Sequence, residues 1–267
     1  LIKNNYSIFL VAMVILLLHQ ALEKKSWKAV LAVVILVLAF AGLNRGLTAF
    51  YEYRSGMEIG SGMPKTLWVA MGMQEGERAE GWYNEFNYNT FLETGCDAEE
   101  SDAIARASIA DSLEKFKNDP AYALNFYYKK TVSQWNEPTC EALWVNQFHS
   151  GEFSRIVQSI YDGKLYTVLE EYMNLFQSLV YGAVLFLLWK RKKSWSMEQL
   201  FLPLVILGGF FFHTLWEAKS QYIFPYFVCL LPCAAAGLAE ASDILKKRTA
   251  EKIRSKKERI RKNAEER

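Results

Sequence analysis

Five stretches of this chain carry no Asp, Glu, Lys or Arg: residues 4–22, 29–44, 172–189, 199–216 and 220–239 of 267. A helix rises about 1.5 Å per residue, so crossing the ~30 Å hydrocarbon core of a bilayer takes about 20 residues. Each run approaches that length, and the second extends to residue 47 if Arg45 snorkels toward the interface. In hydrocarbon, a continuous apolar segment satisfies its own N–H and C=O groups by becoming a helix. The chain is therefore expected to be an all-α polytopic membrane protein with about five transmembrane helices. Its mean hydropathy of −0.02 hides this, because the charges are crowded between the runs.

The charge pattern supplies an orientation. Residues 51–172 hold 20 acids and 10 bases, a net of −10, although the whole chain is +2. The connections at 19–28 and 190–193 and the tail from 246 onward are rich in lysine and arginine. Basic short loops stay cytoplasmic. The sequence thus predicts two transmembrane helices in 1–49, an extracytoplasmic helical domain in 50–171, three more helices in 172–239 and a basic cytoplasmic tail in 240–267. The expected localisation is the cell membrane, multi-pass. The tail suits anionic lipid headgroups, and nucleic acid is not an expected partner. With this orientation the amino terminus begins outside, and with no initiator Met the chain reads as the carboxyl-terminal part of a larger protein.

Within 50–171, apolar residues recur every three or four positions, as in helices. Asp97 followed by Glu99 and Glu100 opens one helix, with Ala105, Ile109, Leu113 and Phe116 expected inward. Asp119-Pro120 reads as the cap and first residue of the next, with Leu124, Tyr127, Val132 and Trp135 inward. Glu137-Pro138 should end it, and a shorter helix is expected over 154–161. Residues 60–76 and 81–95, rich in glycine and aromatics, are expected to be surface loops. Pro203, Pro225 and Pro232 predict bent or locally opened spans. Cys96 and Cys140 share the outside segment, where a bridge and free thiols both remain open. No metal-type cysteine spacing is present.

The chemistry-bearing candidate is the short connection between the last two runs. It carries Glu217, Lys219, Gln221 and Tyr222, with His213 one turn upstream of Glu217. Charges there can simply stop a helix. The connection is nevertheless too short for a solvated loop, and a lysine at headgroup depth is suited to a lipid-linked phosphate. Glu217 could orient that lysine or bind a sugar hydroxyl.

The pattern from Trp216 to Tyr226, just before the final run, resembles the last outer loop of integral-membrane glycosyltransferases of the GT-C type, related to the protein mannosyltransferases. Residues 62–72, 81–84 and 128–136 are similar to a Gram-positive bacterial branch of that class. The resemblance implies transfer of a sugar from a polyprenyl-phosphate donor to a cell-envelope acceptor on the outer face. It places Lys219 at the carrier phosphate with Gln221 and Tyr222 beside it, and puts the catalytic carboxylate upstream of residue 1. Two other classes stay open: a lipid or sugar transporter, and a non-catalytic anchor presenting 50–171 to an envelope partner.

Overall fold

A computed structural model describes residues 6–60, 62–145, 153–191 and 195–265. It is helical throughout, with no strand among the described residues, as expected of an all-α polytopic membrane protein. In chain order the helices are α1 (Tyr6–Lys24), α2 (Trp27–Ser55), α3 (Thr66–Gly72), α4 (Phe86–Glu93), α5 (Ala98–Asn118) and α6 (Pro120–Trp135). They continue as α7 (Ala142–Val145), α8 (Arg155–Asp162), α9 (Lys164–Lys190), α10 (Met197–Leu215) and α11 (Phe224–Glu265), with a 3-10 turn at Ser220–Tyr222. Among these, α1, α2, α9, α10 and α11 are long and apolar enough to cross a membrane. The starts and stops follow the local signals. Asp97 accepts bonds from the N–H groups of Glu99 and Glu100, Asp119 from that of Tyr122, and Ser154 caps α8. Lys192 and Lys193 of the basic connection lie outside the described residues.

The membrane bundle is built on small residues. α9 and α11 meet through Val180, Ala183, Leu230 and Ala234, with Gly237 against the carbonyl of Ala183. A methyl added at Gly237 would strike main chain, so the close crossing requires glycine there. A second cluster joins α1, α10 and α11 through Ala12, Val205, Ile223 and Tyr226. α2 packs chiefly on α1 and leaves Val34, Ile35 and Leu38 exposed, a surface that membrane lipid covers. Pro225 falls in the first turn of α11, where its missing N–H costs nothing, so it starts that helix rather than bending it. α11 then runs unbroken through Pro232 and across residue 240 into the basic segment.

Helices α3 to α6 form a small packed unit around Leu67, Ala70 and Ala105. Asp102 ties α5 to α3 by accepting from the Thr66 hydroxyl at 2.5 Å, and Glu75 accepts from Tyr122 at 2.7 Å and Lys115 at 3.2 Å. Two expectations need correction. The segments 60–76 and 81–95 are not merely loops: they contain α3 and α4, and Leu67, Ala70, Met71 and Gly72 of α3 are buried. Leu113, Leu124 and Val132, expected inward, are exposed. On α6 the buried face is instead Phe126, Lys130 and Gln134, a helical row two-thirds polar. Cys96 and Cys140 are free thiols.

Candidate functional site

The helical unit docks on the membrane bundle through a buried lysine. Lys130 is 1% exposed, and its ammonium donates to the carbonyl of Gly72 and, at 2.8 Å, to that of Trp216. These carbonyls close α3 and α10, where the last C=O groups of a helix lack partners within it and carry the negative end of its dipole. One cation thus pins two helix ends together. Gln134, one turn along α6, donates to the Lys130 carbonyl at 3.3 Å and the His213 carbonyl at 3.5 Å. Gly72 must be glycine: a Cβ would stand 2.5 Å from Leu215 O and 2.6 Å from Trp216 C. Beside this contact Trp68 stacks on Trp216 with rings nearly parallel, 6.0 Å apart.

A second strap fixes the connection between α10 and α11. Ala218 donates its N–H to Gly81 O at 2.6 Å, making a single bridge with Trp82, and Gly81 takes the left-handed φ of +75° this approach needs. Glu141 reaches in from the other side, wholly buried, and accepts from the Ser220 hydroxyl at 3.3 Å and the Gln221 N–H at 3.4 Å. Its second oxygen lies 3.6 Å from the Lys219 ammonium. Cys140 and Glu141 both have left-handed backbone, at φ 49° and 67°. Two adjacent non-glycine residues there store strain that the surrounding bonds must hold, including the Glu141 N–H donated to Glu137 at 2.9 Å.

Between the two straps opens a cavity of about 470 Å³. Trp68, Trp82 and Tyr83 wall it, Arg78 and Lys219 bring positive charge, and Glu217 forms its floor. Asn87 and Tyr222 complete the lining. Glu217 is nearly buried, and loss of water pushes its carboxyl up to about 7, against the pull of Lys219 and Lys130. Lys130 moves the opposite way, from 10.5 down to about 7, because burial penalises its charge more than Glu217 restores it. Near neutrality the Glu217 carboxyl therefore exchanges a proton easily; the Lys219 ammonium lies beside Glu141 and over the Tyr222 ring, 6.0 Å from its centroid.

Of the five residues expected from sequence, Glu217, Lys219 and Tyr222 line this cavity. Gln221 is on the exposed side and contributes its main-chain N–H to Glu141 instead. His213 lies beneath the tip, fully buried between the rings of Tyr222 and Tyr226, at 5.9 and 5.7 Å. The residues missed were Arg78, Lys130, Gln134 and Glu141. The glycine-and-aromatic richness of 60–95 pointed near Arg78, and the resemblance over 128–136 pointed near Lys130 and Gln134, but neither gave these residues a role. Among the described residues no group of His, Cys, Asp and Glu is arranged to hold a metal.

The fold and site define a polytopic all-α membrane protein with a helical unit docked on the tip of its last helical hairpin. No family model, no curated protein and no solved structure matches the chain.

Proposed function

We propose that this chain serves in a GT-C-type membrane glycosyltransferase, taking a sugar from a polyprenyl-phosphate donor and passing it to a cell-envelope acceptor on the outer face. The observation that carries this reading is the composition of one cavity: Arg78 and Lys219 for a phosphate, aromatic rings of Trp68, Trp82 and Tyr83 for a sugar face, and the buried carboxyl of Glu217 for a hydroxyl. Its place supports a lipid-linked donor, because the cavity opens at the tip between two apolar helices, where a headgroup meets protein while its chain stays in the membrane. The acidic balance of 51–172 and the basic tail support an extracytoplasmic cavity and a cytoplasmic carboxyl terminus.

The test is sugar transfer by full-length protein in liposomes supplied with a polyprenyl-phosphate sugar. Removing Lys219 alone would strand the buried Glu141, so the variant is Lys219→Met with Glu141→Gln. A hydrogen bond to a charged group is worth about 1.5–3 kcal/mol, which predicts a loss of roughly 10- to 100-fold in donor use. Unchanged donor use would remove the phosphate contact and with it the reading.

A further inference from the structure

The loop carrying Arg78 and Trp82 has a second face. It borders another cavity, of about 490 Å³, closed by the end of α6 and the first turns of α9. Here the polar lining is Ser133, Asn136, Glu137, Glu170 and Asn174, with Arg78 at the edge it shares with the first cavity.

We propose that this second cavity binds the acceptor, and that the acceptor presents an uncharged, hydroxyl-rich carbohydrate end; the acceptor role rests on the transferase reading above. Charge sorts the two ligands. The first cavity holds Arg78 and Lys219 above a carboxyl that keeps its proton up to about pH 7. The second sets two carboxylates against the shared arginine. A phosphate-bearing ligand is drawn to the first and repelled by the second.

The lining also matches sugar hydroxyls, which both donate and accept. Glu170 and Asn174 stand one helical turn apart on α9 and so face the cavity together. Asn136 offers an amide at the end of α6. Glu170 accepts from the Tyr166 hydroxyl at 3.4 Å, which uses one of the roughly four acceptor positions of a carboxylate. Glu137 plays a different part: one oxygen accepts from the Thr139 N–H and hydroxyl and the other from the Glu141 N–H, so it fixes the cavity wall.

The partition between the cavities is rigid. The Trp82 indole donates to the Ser133 hydroxyl at 2.8 Å, that hydroxyl donates to Lys130 O at 2.9 Å, and the neighbouring Gly81 is tied to Ala218. Trp82 and Arg78 line both cavities, so ligands in the two would meet at these shared residues.

The experiment measures glycan binding without donor, using full-length protein in detergent micelles. Maltotetraose, mannotetraose and chitotetraose are the probes, followed by saturation-transfer NMR and calorimetry. At least one should bind. Glu170→Gln with Asn174→Ala, both partly exposed side chains, should weaken it at least tenfold, and the Lys219→Met/Glu141→Gln pair should change it less than twofold. No binding by any probe, binding indifferent to Glu170 and Asn174, or binding lost in the Lys219 pair would each overturn the assignment. The two readings fail separately. Protein that binds glycan but transfers no sugar keeps the carbohydrate site and loses the transferase. Active protein whose Glu170/Asn174 variant keeps its acceptor KM loses the site alone.

Discussion

Replacing Lys130 by methionine keeps length and apolar bulk while removing the amine, and its effect should depend on pH. Two terms oppose each other. The variant deprives the carbonyls of Gly72 and Trp216 of their donor, and an unsatisfied buried acceptor costs about 1–3 kcal/mol, so the pair costs about 2–6 kcal/mol. Against this, wild type must bury a group whose pKa falls from 10.5 to about 7, which at about 1.4 kcal/mol per unit costs about 5 kcal/mol at neutral pH. The folded value lies below the unfolded one, so between them the unfolded chain binds the extra proton and stability rises with pH. Lys130→Met should therefore be near neutral in effect at pH 7 and fall behind wild type by the full ~2–6 kcal/mol above pH 10.5. Unfolding in mild detergent, followed by near-ultraviolet circular dichroism of the stacked Trp68–Trp216 pair, gives the measurement. Parallel stability curves for the two proteins from pH 7 to 10.5 would refute the reasoning, since the buried amine would then contribute no linkage.

Three further outcomes follow from the docking contact and the cavity carboxyl. Gly72→Ala should undock α3 from the end of α10, because the added methyl meets rigid main chain at 2.5–2.7 Å; a cost of at least about 1–3 kcal/mol is expected, read as loss of the Trp68–Trp216 dichroism and faster proteolysis between α2 and α9. The carboxyl of Glu217, raised from 4.5 to about 7, contributes stability that is present below pH 4.5 and lost as pH rises through 7, so Glu217→Gln should gain up to about 3 kcal/mol above pH 7. In the same range wild type should bind phenyl phosphate more weakly as pH rises, and calorimetry should find that inflection missing in the glutamine variant.

How much was legible depended on whether a residue's role was local. The five membrane helices could be read because a charge-free run of spanning length has one stable form in hydrocarbon, whatever lies beside it. Asp97 and Asp119 were readable as helix starts for a similar reason, since each bonds an N–H two or three residues away. The inner face of α6 was not. Lysine and glutamine are usually exposed, so an apolar stripe through Leu124 and Val132 looked inward while Lys130 and Gln134 looked solvated. Lys130 is buried because two carbonyls from distant helix ends converge on it, one 58 and the other 86 residues away in sequence. α3 escaped notice because it spans two turns in a glycine-rich setting, and its helicity rests on packing against α5 and α10.

Local composition determined that this chain enters a membrane, where several of its helices start, and that its last hairpin carries Glu217 and Lys219 at the tip. Tertiary structure decided what surrounds them. Arg78, Trp82 and Glu141 reach the tip from segments far away in sequence, and their convergence makes a charge pair, an aromatic wall and a carboxyl that titrates near neutrality. Helix formation in hydrocarbon is set by each segment's own hydrogen bonds, whereas dehydration and pairing of a charge depend on which other atoms fold against it.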